Sequence, residues 1–135
     1  MLATLRRPKV PVVSIIEDDK SVRAATNRLV RSLGFEPHMF SSAEEFLQSP
    51  QRNGSSCVIA DIRMPGMSGV ALQKLLIDEG QNLPMIFITA FPEEKIKEQA
   101  LEAGAVAYLA KPFDGKTMIK CLSEAIKRSS DKPAE

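Results

Sequence analysis

Four short apolar runs, each ending on a charged or hydroxyl side chain and separated from the next by at least a helix's worth of residues, restrict the folds open to this chain. Val12-Val13-Ser14-Ile15-Ile16 leads into Glu17-Asp18-Asp19, and Cys57-Val58-Ile59-Ala60 leads into Asp61. Met85-Ile86-Phe87-Ile88 leads into Thr89, and Ala107-Tyr108-Leu109-Ala110 leads into Lys111. Runs of this length and composition read as buried parallel strands. In an open parallel sheet, ligands bind outside the carboxyl ends of the strands, where strand order reverses. The pattern therefore expects carboxylates, a hydroxyl and an ammonium group at one edge of one sheet.

The intervening segments carry helix signals. Apolar positions Val22, Ala25, Leu29, Val30 and Leu33 recur at helical spacing over 20–33, with Gly34 as the stop. Phe35 to Phe40 reads as a second, more polar strand near an edge. Ser42-Ala43-Glu44-Glu45 fits a capping box opening a short helix with Phe46 and Leu47, and 50–56 reads as a loop. Val70, Leu72, Leu75 and Leu76 mark a third helix, and Ile96, Ala100 and Ala103 a fourth over 93–103. Asp114 can cap a last helix with a core stripe of Met118, Leu122, Ala125 and Ile126. Strand and helix alternate throughout, so the expected class is α/β: a parallel sheet covered on both faces.

At 135 residues, 44% of them hydrophobic, the chain forms one domain with its own core. Residues 1–9 read as an N-terminal arm, 10–128 as the domain and 129–135 as a polar tail. A net charge of +1 gives no global case for nucleic-acid or membrane binding. No apolar stretch is long enough to span a bilayer, and the N-terminus lacks a signal peptide's apolar centre. Cys57 and Cys121 read as small hydrophobes, not as a disulfide or metal pair, and a cytoplasmic location is the default. His38 reads as a surface histidine away from the polar edge. Met64, Met67 and Met118 read as packing.

Carboxylates crowded at one edge repel each other, and a hard divalent cation resolves the conflict. Magnesium takes one or two protein carboxylates plus water and phosphate oxygens. Asp18 and Asp61 are the natural direct ligands, Glu17 can bind through water, and a backbone carbonyl after Asp61 can complete the set. Asp61, alone at the end of its strand, suits a nucleophile that accepts a phosphoryl group as an acyl phosphate. Lys111 supplies a point charge and Thr89 a hydroxyl donor. Asp19 reads as the N-cap of the first helix.

Ile16-Glu17-Asp18-Asp19, Asp61-Ile62-Arg63-Met64-Pro65-Gly66-Met67-Ser68-Gly69, Ile88-Thr89-Ala90 and Tyr108-Leu109-Ala110-Lys111-Pro112-Phe113, in this order and spacing, resemble the receiver domain of two-component response regulators. The resemblance spans about 10–128. It implies a flavodoxin-like (βα)5 doubly wound sheet in the order 2-1-3-4-5. It implies that Asp61 takes phosphate from a phosphohistidine of a sensor histidine kinase or phosphotransfer protein, and that Mg2+ is held by Glu17, Asp18, Asp61 and the Arg63 backbone carbonyl. Glu at position 17 is a usual variant of the family's commoner Asp. Thr89 and Tyr108 match the switch pair, with half-buried packing as the rival reading of Tyr108. Lys111-Pro112 matches a peptide bond that is typically cis. Arg63 and Phe91 occupy positions where the family tunes phosphate lifetime, and their bulk is expected to hinder the attacking water.

Such a domain is not an enzyme toward other molecules; it catalyses only its own phosphorylation and dephosphorylation. The downstream effector stays unnamed. A homodimer through the fourth helix, fifth strand and last helix is a family possibility, with Lys95, Lys97, Lys116 and Lys120 near that face. A pseudo-receiver would lose an acidic residue, the acceptor or the lysine, and this chain keeps them all. An aspartyl phosphatase commonly carries an acid where Arg63 stands. A flavin carrier needs a hydroxyl- and glycine-rich loop where Glu17-Asp18-Asp19 would repel phosphate.

Overall fold

The computed structural model describes residues 10–130; the N-terminal arm and residues 131–135 of the tail lie outside the described residues. Among the described residues, five strands alternate with five α-helices: β1 (Val12–Ile16), α1 (Lys20–Ser32), β2 (Glu36–Phe40), α2 (Ala43–Gln48), β3 (Cys57–Asp61), α3 (Gly69–Asp78), β4 (Met85–Thr89), α4 (Glu94–Glu102), β5 (Ala107–Ala110) and α5 (Gly115–Ser130). The sheet is wholly parallel in the order β2-β1-β3-β4-β5. This is the flavodoxin-like arrangement, and the order reverses between β1 and β3, where a site is expected.

Every residue of β3 and β4 is buried, because helices cover both faces. Alternate side chains divide between two cores. Ile16, Val58, Ala60 and Phe87 pack with Phe46, Leu72 and Leu76 on one face. Val13, Ile15, Ile59, Ile86 and Ile88 pack with Val30, Met118 and Leu122 on the other. A fully buried aliphatic or aromatic side chain contributes about 1.5–3 kcal/mol, whereas an exposed ion pair such as Lys74–Asp78 contributes about 0–1 kcal/mol. The two apolar layers therefore hold the fold.

Local capping follows the sequence, with informative departures. Asp19 accepts from the amides of Ser21 and Val22 and from the Ser21 hydroxyl, which starts α1. Ser42 caps α2 by accepting the Glu45 amide. Glu45 reaches back one residue further than a standard capping box, to the Ser41 amide and hydroxyl. On α1 the buried stripe includes Thr26 while Ala25 is exposed. Thr26 resolves its polarity internally, its hydroxyl donating to the Val22 carbonyl at 2.8 Å. Ala103, expected on the inner side of α4, is exposed just beyond the helix end. The expected loop before β3 contains a 3-10 helix, Pro50–Gly54, started by Ser49, whose hydroxyl accepts the Gln51 amide. α5 continues through Ser130, two residues into the stretch expected to be tail.

Candidate functional site

Hydrogen bonding continues one residue past the ends of β1, β3 and β5. The Glu17 amide donates to the Phe40 carbonyl, that of Ile62 to Ile88, and that of Lys111 to Thr89, at 2.8–3.0 Å. The residues at these strand ends thus leave the sheet at one edge with a fixed backbone. Lys111 Nζ lies 2.8 Å from Asp61 Oδ2 and 2.7 Å from Glu17 Oε1. One carboxylate oxygen each from Glu17, Asp18 and Asp61 fall within 4.8 Å of one another. Glu17 is wholly buried and Asp61 nearly so, while Asp18 opens to solvent. The Lys111-Pro112 bond is cis.

Crowding perturbs the charges. Burial pushes the Glu17 carboxyl up to about 7; the Lys111 ammonium and the Asp19 amide oppose the shift, and the Asp61 carboxylate adds to it. For Lys111, burial favours the neutral form, but the contacts with Asp61 and Glu17 outweigh it and hold the ammonium above its ordinary value. One ammonium facing three carboxylates leaves negative charge uncompensated. Glu17 Oε1 is buried, with Lys111 Nζ 2.7 Å away. A set of three clustered hard oxygen donors, two of them buried against a single ammonium and one open to water, fits a divalent cation such as magnesium.

The other expected residues sit on β4, on β5 and in the loops that follow β3 and β4. Thr89 ends β4, is wholly buried, and its hydroxyl oxygen accepts the Phe91 amide at 3.1 Å. Tyr108 is buried rather than half-buried, and its hydroxyl accepts the Glu93 amide at 3.1 Å. The Arg63 amide donates to Asp61 Oδ1 at 3.2 Å. Its guanidinium lies over the exposed Phe91 ring, 5.1 Å from the centroid, and Nη2 sits 2.6 Å from Glu93 Oε1. Sequence reasoning missed Glu93, which joins the loop after β3 to the loop after β4. Its partner is 30 residues away, and no local spacing signals that. His38 stands on the edge strand β2, paired with Glu36 at 2.7 Å and apart from the cluster. Cys57 and Cys121 are both free, and burial raises both thiols above their ordinary value.

A strand-end acidic cluster joined to a lysine, on a sheet ordered β2-β1-β3-β4-β5, is the geometry that the sequence motifs anticipated. The family model of the response regulator receiver domain matches residues 13–123. This chain is a response regulator receiver domain. The receiver is 37% identical over 119 residues to the response regulator protein TodT of Pseudomonas putida, an alignment covering 88% of the receiver and 52% of TodT. The receiver superposes on the crystal structure of FixJ-N with a TM-score of 0.79 and 31% identity, covering 95% of the receiver and 100% of FixJ-N. Against the response regulator StyR the TM-score is 0.84 at 34% identity, covering 91% of the receiver and 62% of StyR. The receiver spans about half the length of the curated relatives it matches. Among the described residues no helix is long and apolar enough to cross a membrane.

Proposed function

We propose that the receiver is a phosphoacceptor switch in which Asp61 takes a phosphoryl group from a phosphohistidine on a sensor histidine kinase or phosphotransfer protein. The observation that carries this reading is the position of Lys111 Nζ, within 2.8 Å of both Asp61 and Glu17, beside three clustered carboxylates. An Asp61 carboxylate oxygen attacks phosphorus, an O–P bond forms, and the P–N bond to the imidazole breaks, its nitrogen leaving with the electron pair. Glu17, Asp18, Asp61 and the Arg63 backbone carbonyl would hold Mg2+, which when bound neutralises charge on the incoming phosphoryl oxygens. Lys111 adds a fixed positive charge at the acceptor. Thr89 already accepts from the Phe91 amide, so its own hydroxyl hydrogen is available to a phosphoryl oxygen.

The change is passed outward by Thr89 and Tyr108. Tyr108 is held to the start of α4 by the Glu93 amide, so movement of the loop after β4 alters both residues together. Lys95 and Lys97 on α4 and Lys116 and Lys120 on α5 are exposed, which suits the face formed with β5 for an effector or a second copy. In this reading the domain acts in the cytoplasm, contacts neither membrane nor nucleic acid directly, and catalyses only its own phosphorylation and dephosphorylation.

Incubation with magnesium and a small-molecule phosphodonor, followed by intact mass, tests the proposal. One added phosphoryl group, lost in Asp61→Asn and in the presence of a chelator, is expected. No mass gain would favour a binding module that keeps the fold without the chemistry.

A further inference from the structure

The loop between Asp61 and α3 carries Arg63, whose carbonyl belongs to the proposed magnesium set, so what shapes this loop bears on the site. Its base is closed within the segment. The Gly69 amide donates to the Ile62 carbonyl at 2.9 Å, and a Cβ at Gly69 would fall 2.5 Å from the Asp61 carbonyl oxygen. Its tip is held from outside. The Met67 amide donates to Glu44 Oε2, on the first turn of α2, at 2.8 Å across 23 residues of sequence. Gly66, beside it, has φ +80°, and a Cβ there would stand 2.6 Å from the same Glu44 oxygen. That backbone conformation favours glycine, and the missing side chain is what lets the carboxylate reach the amide.

Glu44 is free for this task. The reciprocal cap of α2 uses Ser42 and Glu45, not Glu44. Glu44 stands in the first turn of α2, where an acidic side chain is favoured by the helix dipole.

We infer that Glu44 is a positioning residue for the metal-holding loop: by clasping the Gly66-Met67 tip it fixes the path of Ile62 to Ser68, and with it the direction in which Arg63 presents its carbonyl to the acidic cluster. Glu44 acts through the loop and touches neither metal nor phosphoryl group. The inference rests on the phosphoacceptor reading above. It predicts that weakening the clasp weakens magnesium binding while leaving the folded core alone, since Glu44 is exposed and outside both apolar layers.

The test compares wild type, Glu44→Ala, Glu44→Gln and Asp18→Ala by calorimetric titration with magnesium chloride, with amide exchange at Met67 followed by NMR in chelator. Glu44→Ala is expected to weaken magnesium binding about fivefold, the loss of roughly one hydrogen bond, and to speed Met67 exchange without metal. Glu44→Gln keeps an acceptor oxygen and is expected to stay within about twofold of wild type. Equal magnesium affinity in wild type and Glu44→Ala, or unchanged Met67 exchange, overturns the inference. A loss in Glu44→Gln as large as in Glu44→Ala overturns it too, because the effect would then be one of charge. If wild type itself takes no magnesium, the phosphoacceptor reading fails instead, and Asp18→Ala marks that baseline.

Discussion

Glu17 concentrates the electrostatic conflict of the site in one side chain. Its carboxyl is raised from 4.5 to about 7 in the folded chain, so between those values the native state binds more protons than the unfolded state. Its contribution to stability is then full below pH 4.5 and is lost as pH rises through about 7. In chelator, urea unfolding should show stability falling across that window, and Glu17→Gln should flatten the fall; a wild-type profile already flat would remove the conflict. Arg63 and Phe91 make a second residue-level case. Their amides bond Asp61 and Thr89, and their side chains stack on each other. If water reaches the acceptor only when this pair opens, a pair contributing about 0.5–1 kcal/mol at an exposed site slows its entry, and Arg63→Ala or Phe91→Ala should shorten the phosphate lifetime about two- to fivefold. Time courses of phosphate loss that match wild type would show that neither side chain screens the acceptor from water.

Among the elements, the junction of β3 with α3 tolerates the least change. Gly69 opens α3 directly against the Asp61 carbonyl, with the Phe87 ring 3.1 Å from where a Cβ would sit. Overpacking of this kind typically costs about 1–3 kcal/mol, so Gly69→Ala should lower the urea midpoint by a corresponding amount, and an unchanged midpoint would mean the junction yields easily. The elements were legible where one physical rule dominates. Buried parallel strands announce themselves as apolar runs, and Asp19, Ser42 and Gly34 mark helix ends by chemistry that acts within a few residues. Legibility failed where a local rule had a competitor. Thr26 turns inward in place of Ala25 because its hydroxyl bonds the preceding turn, a choice invisible to apolar spacing. The 3-10 helix at Pro50–Gly54 forms because Ser49 caps it and Pro50 needs no amide partner, so a stretch rich in turn residues still orders itself.

For the whole molecule, the site was legible as a set of positions and illegible as a set of contacts. Strand ends place Glu17, Asp18, Asp61, Thr89 and Lys111 at one edge without any knowledge of side-chain packing. The ties made by Glu44, on α2, and by Glu93, in the loop after β4, cross 23 and 30 residues to reach the loop after β3, and no periodicity encodes them. A metal that binds only the folded chain stabilises it by mass action, about 2.7 kcal/mol at one hundred times the dissociation constant. Magnesium should therefore raise the melting temperature, and Asp18→Ala should remove most of that gain. The most direct test of the convergence itself is a crystal soaked in manganese, which accepts the same hard oxygen ligands, with the ion located by anomalous scattering. The account predicts one peak bonded by Asp18, Asp61 and the Arg63 carbonyl, with Glu17 bound directly or through water. A peak elsewhere on the surface, or none at this edge, would contradict it.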